Sequence, residues 1–344
     1  MTTIQAARAR LIFAILVLGA VMRAAVATPC QHVGPADAAV PTRDVVVGMY
    51  LRDVPEVDLR AGTFAFDAYL WFRWEPAQFL AIGAEPSEDP SGLPRAPSES
   101  YEVMGVHELQ TTAVSSRPGY AVFRVQGKVR QSFDLGRFPL DDHVLGIRVE
   151  DAENEIHRVR YVPDVEGSTA GHLTLHGWAT TPLRVEAGTE EFATNFGDLE
   201  LPTGTKSVYS AVTFQIGVNH DGVAYFAKLT CTAFIAAILS MLALLIRPSD
   251  VDPRFGLPVG GLFAAVASEW AVSEALPDRS GLTMADWIHV ASFLAIFVVV
   301  LVSVFSLRHF EAGREEGSRR LDRLAFWGLL PSYAVSILLI VWLR

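Results

Sequence analysis

Residues 252–277 read DPRFGLPVGGLFAAVASEWAVSEALP, and this stretch decides the architecture. It is long enough to cross the roughly 30 Å of a bilayer's hydrocarbon as a helix. Its composition is nevertheless wrong for a helix that faces lipid, because it carries Glu269, Glu274, two serines and many Gly and Ala. A carboxylate deep in hydrocarbon costs at least about 2.5–3.5 kcal/mol, so such helices normally face protein or water. Placed on a helix, Gly256, Gly260, Phe263, Ala267, Trp270 and Glu274 form one slowly drifting stripe. With Asp252 and Arg254 at its inner mouth, the stripe reads as the wall of a water-filled pore. Phe263 and Trp270 would form two apolar constrictions that gate by dewetting, and Asp252 and Glu274 would form charge rings that attract cations. The alternative is a small-residue helix packed inside a bundle, where Gly and Ala permit close approach.

Three greasier runs accompany this one, so the apolar segments are Tyr225–Ile246, Phe255–Leu276, Trp287–Leu307 and Leu324–Leu343. Lys228 lies in the first turn of the first run, where its stem can snorkel to the headgroups. The connections at 247–254 and 308–323 hold Arg247 and Arg254, then Arg308, Arg314, Arg319, Arg320 and Arg323. The opposite side has Arg279 and the terminal Arg344. By the positive-inside rule, the arginine-rich connections are cytoplasmic and the sequence before the first run is exported.

That preceding sequence reads as β structure. VVVGMYL (45–51), TFAFDAYLWFRW (63–74), YAVFRVQGKV (120–129), HVLGIRVE (143–150), HLTLHGW (172–178) and SVYSAVTFQIGV (207–218) alternate or are rich in β-branched and aromatic residues. Pro/Gly/Ser/Asp clusters separate them, notably at 83–100. Many short strands at such spacing favour a sandwich over a parallel α/β sheet. The expected fold is an all-β, immunoglobulin-like sandwich over 28–221, followed by an all-α four-helix transmembrane domain over 222–344.

The N-terminus resembles a secretory signal over 1–27, with Arg8 and Arg10, the apolar core LIFAILVLGAVM and small residues at Ala25 and Ala27. An uncleaved anchor is the alternative. The chain has 344 residues, a formal net charge of −10 and two cysteines, Cys30 and Cys231. One cysteine lies at the expected mature N-terminus and the other inside a membrane run, so they are not expected to pair. CxxC, HExxH, GxGxxG and GxxxxGK patterns are absent. Negative charge without a basic run argues against nucleic acid as partner. With no catalytic constellation, the expectation is a non-enzyme without cofactor or metal.

Taken together, these residues resemble the pentameric ligand-gated ion channels, the Cys-loop receptor superfamily, and its prokaryotic members in particular. FPLDDHVL (138–145) is similar to the family's Phe/Tyr-Pro-x-Asp loop at the base of the extracellular sandwich. LHGW (175–178), the last strand and the first span follow in the family's order. PRFGL resembles the family's opening of the second span, which ends here in Leu276-Pro277 before a short loop. The eukaryotic loop cysteines would fall at Gln131 and Leu145, so no covalent loop exists. The family's junction arginine is replaced by His220 and the first-span proline by Thr232; a junction histidine opens a route to pH sensitivity.

The resemblance implies a homopentamer in the bacterial inner membrane, an agonist or proton sensed by the exported sandwich, and coupling through Asp141, Pro139, His220 and Pro277. It places an aromatic agonist box near Tyr101, Tyr161, Phe196 and Tyr209, suited to a cationic amine. The acidic clusters Glu85/Glu88/Asp89 and Glu150/Asp151/Glu153/Glu155 offer Ca²⁺ ligands, though solvated loop charge is the simpler expectation. Selectivity is mixed: Arg254 resembles the mouth of anion-selective members, whereas Asp252, Glu269 and Glu274 favour cations. Two other functions stay open, a membrane-anchored sensor or adaptor with a non-conducting bundle, and a membrane enzyme using Glu269 or Glu274 as base.

Overall fold

The computed structural model describes residues 42–84, 93–173, 175, 177–194, 206–220, 222–277 and 281–343, with backbone alone at 220 and 223. The expected signal segment, Cys30, Glu85/Glu88/Asp89, Phe196, Arg279, Arg344 and the His220 side chain lie outside the described parts.

The first half is sandwich-like. One sheet runs in the order β4 (Val106–Arg117), β5 (Tyr120–Arg130), β2 (Thr63–Trp74), β1 (Arg43–Asp58), β7 (Val159–Pro163), with β8 (Thr169–Ala170) also on β1. The other runs β10 (Arg184–Phe192), β11 (Ser207–His220), β6 (Asp142–Glu155), β3 (Tyr101–Val103), with β9 (Trp178–Thr180) also on β11. Pairing is antiparallel except where β7 and β8 run parallel to β1. Alternation explains the core: Phe64, Phe66, Ala68, Leu70 and Phe72 of β2 are all buried, as are Leu145, Ile147 and Val149 of β6. Each large apolar side chain so buried contributes roughly 1.5–3 kcal/mol. Gly48 of β1 is required where it lies, since a Cβ there would stand 2.3 Å from the Trp71 ring.

Two expectations about strands change. Among the described residues of HLTLHGW, Trp178 alone lies in a strand, as the first residue of β9. The edge strands β4 and β10, polar and largely exposed, escape a search for apolar alternation.

After β11 the chain turns helical: α1 (Gly222–Leu242), α2 (Val251–Ser273), α3 (Met284–Glu311) and α4 (Glu315–Leu343). All four are long and apolar enough to cross a membrane. α4 begins nine residues before its apolar run, carrying Arg319, Arg320 and Arg323 in its first turns. α1 packs along α2, α3 packs along α4, and α1 and α2 both rest on α3. Large apolar side chains such as Leu294, Phe297, Trp327 and Leu338 remain exposed on the helices, as a lipid solvent would require. The protein is thus a β-sandwich-like region followed by four candidate membrane spans.

Candidate functional site: the second span and its junction with the sandwich

α2 has two unlike faces. Arg254, Pro258, Gly261, Ala265 and Val272 are buried against the rest of the chain. Gly261 permits that packing, because a Cβ there would stand 2.3 Å from Ser240 Oγ and 2.9 Å from the Ala236 carbonyl oxygen of α1. At about 100° per residue, the opposite side of the helix holds Asp252, Gly256, Gly260, Phe263, Ala267, Trp270 and Glu274. All seven are exposed in the single chain, Phe263 at 71% and Trp270 at 68%. A Cβ built on Gly256 or Gly260 would meet no heavy atom within 4 Å. The small residues of the stripe are therefore not used for packing within the chain; Gly261 and Ala265 serve that purpose.

Arg254 is a correction. Expected at the mouth of the stripe, it is fully buried on the other face. Its Nη1 donates to the Ile246 carbonyl (2.7 Å) and to Asp322 Oδ2 (3.1 Å), and its Nη2 donates to Asp322 Oδ1 (2.5 Å). Ser306 also donates to Asp322 (2.8 Å) and sits 2.7 Å from Ser318 Oγ. The arginine thus ties the N-terminal end of α2 to α3 and α4. Higher up, Ser268 Oγ of α2 lies 3.1 Å from His289 Nε2 of α3 and donates to the Leu229 carbonyl of α1 (3.3 Å).

The acids at the C-terminal end of α2 have partners that the sequence did not reveal. Ser273 donates to Glu269 (3.0 Å) and Trp270 Nε1 donates to Glu274 (3.2 Å). Arg60, in the β1–β2 turn, donates to the Glu274 carbonyl (3.1 Å) and lies 3.7 Å from its carboxylate.

At the junction, Phe138 and Leu135 are buried in one cluster with Val272, Leu276 and Ala285, joined by Tyr225 and Leu229. The Gly136 carbonyl accepts from the Met284 amide (3.1 Å) and the Phe138 carbonyl from the Ala285 amide (3.2 Å), so the loop caps the N-terminus of α3. A capping box between Thr283 and Asp286 completes that end. Pro139 is buried beside Phe138 and follows a cis peptide bond. Pro277 is half-buried and lines a cavity of about 700 Å³ with Arg60, Gln131, Phe133 and Trp287.

Asp141 is 2% exposed, and its carboxylate lies 2.5 Å from Nε2 of the equally buried His143. Phe133 stands edge-on to that imidazole at 5.0 Å and Trp178 lies tilted against it at 5.9 Å. His143 was not singled out in the sequence. The signal that could have found it is spacing: Asp141 immediately precedes β6 and His143 is its second residue, close enough in sequence for the two side chains to meet.

The expected agonist box is only partly assembled. Tyr161 is 1% exposed and belongs to the core, 6.1 Å from the Phe72 ring, so it is removed from the candidate ligand residues. Burial pushes its phenol well above the usual range. Tyr101 packs at 4.9 Å on Phe72 and 5.6 Å on Phe123. Tyr209 stands edge-on to Phe192 at 5.7 Å. Tyr101 and Tyr209 lie beside the same end of β6, opposite Asp151 and Glu155.

The acidic run 150–155 is not a solvated loop, since all of it lies in β6. Asp151 is fully buried, accepting from Ser100, the Asn154 amide groups and the Glu153 amide, and burial raises its pKa. Glu150 is 4% exposed, and its Oε2 has no hydrogen-bond donor. Burial, reinforced by nearby Glu190, pushes its pKa up to about 7 against the partial relief of Arg148. Glu153 pairs with Arg95 (3.3 Å) and Glu155 with His157 (3.4 Å). Among the described residues no three His, Cys, Asp or Glu side chains are grouped to hold a metal ion. In comparison with known proteins, the chain matches no family model and no curated protein.

Proposed function

We propose that the protein is a ligand- or proton-gated ion channel of the inner membrane, cation-selective, built as a homopentamer around α2, with an exported immunoglobulin-like sandwich as sensor. The observation that carries this reading is the exposed stripe of α2, diametrically opposite the face that packs in the subunit. Acidic ends and a glycine–alanine middle suit water better than lipid, so assembly around an axis would shelter them. Withdrawal of Arg254 from the stripe supports cation preference, because Asp252 is then the formal charge on the inner mouth. The junction cluster supplies a rigid contact through which the sandwich bears on the outer end of α2. Asp141, Pro139 and Pro277 keep their roles in that coupling; His220 is the last residue of β11, just before α1.

The test is electrical. Liposomes containing only this protein should pass ions, with reversal potentials in asymmetric KCl near the potassium equilibrium potential, and the detergent-solubilised protein should run as a five-subunit particle. A monomer that never conducts across a pH series and ligand panel would leave the sensor or adaptor reading in its place. A shift towards the chloride potential would overturn the selectivity.

A further inference from the structure

The outer surface of the second sheet holds a charge arrangement that coupling at the membrane does not use. Arg148 of β6 reaches across β11 to the edge strand β10. Its Nη2 donates to the Thr189 carbonyl (2.8 Å) and lies 2.6 Å from the Glu190 carboxylate. Among the described residues β10 has no sheet neighbour on its far side, so this reach fastens an edge strand to the third strand in. Two residues along β6, on the same side of the strand as Arg148, sits Glu150. It is directly opposite Glu102 of β3 and Ala211 of β11. Arg148 and Glu190 are each about one-third exposed, whereas Glu150 is 4% exposed and its Oε2 lacks a donor. A buried carboxyl in that state is tolerable when neutral and costly when ionised.

We propose that Glu150 is a proton-binding site whose ionisation releases the Arg148–Glu190 clasp and loosens β10 from the sandwich. The charged and titratable groups facing it are Glu102 from β3, Arg148 and Asp151 from β6, Glu190 from β10 and Tyr209 from β11. With Glu150 neutral, Arg148 has Glu190 as its carboxylate partner and the clasp is closed. When Glu150 loses its proton, Glu102, Glu150 and Glu190 share one guanidinium. Arg148 is then drawn towards the buried charge, Glu190 is repelled, and water must enter beneath β10 to solvate the new anion. The balance is one proton exchanged with solvent; no bond other than O–H is made or broken. Both Glu150 and its clasp lie at the end of β6 flanked by Tyr101 and Tyr209, so the proton would be sensed beside the residues expected to meet an agonist. This last point rests on the channel reading; the clasp itself does not.

Hydrogen–deuterium exchange of the full chain in detergent, corrected for the intrinsic pH dependence of amide exchange, tests it. Peptides covering Arg184–Phe192 should lose protection by at least about threefold on going from about pH 6 to about pH 8, with a midpoint near 7. Glu150→Gln should keep the acid-side protection at both values. Glu190→Gln, which removes the clasp without burying a charge, should show the low protection at both. A wild-type chain with no step, or a step that persists in either variant, overturns the proposal. Currents from the same preparations separate the two readings: an exchange step without conductance would sink the channel and leave the clasp. Conductance without an exchange step would do the reverse.

Discussion

Arg254 and Asp322 carry opposite charges where neither meets solvent, and removing one strands the other. Breaking a buried pair from one side typically costs about 3–5 kcal/mol, whereas replacing both partners by well-packed apolar groups is often close to neutral. Arg254→Met should therefore lower the unfolding temperature of the solubilised protein sharply, and Arg254→Met with Asp322→Leu should recover most of it. A double variant no better than the single one would show that the ion pair is not what holds these helix ends together. Glu150 makes the second prediction at this scale. Its pKa rises from 4.5 in the unfolded reference to about 7 in the folded chain, so between those values the folded state binds more protons. Stability must then fall as pH rises through that window and stay lower above it. Thermal unfolding across the window should show Glu150→Gln losing less stability than wild type by the order of 1–3 kcal/mol. Equal slopes for the two proteins would contradict the raised pKa.

At the scale of the element, α2 puts adjacent glycines to opposite uses. Gly261 faces Ser240 and the Ala236 carbonyl at sub-contact distances for any Cβ, while Gly260 faces open space. Gly261→Val should separate α1 from α2 and cost several kcal/mol, on the order of the large penalties that overpacking gives. Gly260→Ala, whose Cβ would meet nothing, should leave the unfolding temperature at or above that of wild type, since Ala is favoured over Gly inside a helix by about 1 kcal/mol. Matching losses in thermal unfolding would mean the helix faces are assigned wrongly. Phe263 and Trp270 are the large side chains of the exposed stripe, two turns or about 10.5 Å apart along the axis. If rings of these side chains close a pore by excluding water, Phe263→Ala or Trp270→Ala should raise resting current. Resting currents unchanged in both single variants and the double variant, with activation preserved, would place the gate elsewhere.

For the whole molecule, the decisive contact is between the sandwich and the helices. Phe138 and Leu135 enter the same apolar cluster as Val272 and Leu276, while backbone carbonyls of the loop cap α3. Packing and hydrogen bonds therefore join the loop to α2 and α3 together. Asp141 orients the loop from the sandwich side through His143. Asp141→Asn should keep expression and assembly near wild type yet reduce agonist- or proton-evoked opening several-fold, as loss of a charge-assisted hydrogen bond of about 1.5–3 kcal/mol allows. Open probability equal to wild type across the full activation curve would remove Asp141 from coupling.

Local patterns made the apolar core strands, the four candidate spans and the exposed stripe of α2 legible, because apolar run length and the 3.6-residue period are properties of neighbouring residues. Even the misplacing of Arg254 was avoidable at that level. Arg254, Pro258, Gly261, Ala265, Ser268 and Val272 repeat the stripe's own 4-3-4-3-4 spacing on the opposite side of the helix. Its partner was not legible, since Asp322 lies 68 residues away on α4. Nor was the burial of Tyr161, whose environment is set by the parallel pairing of β7 with β1 and by the facing Phe72. The edge strand β4 is exposed along nearly its whole length and β10 over much of it, so neither has a buried face that would demand apolar alternation, and their place came from pairing alone. Charges such as Glu150 depend on what covers them: the sequence supplied the carboxylate, and the strands folded across it decided that it would be buried.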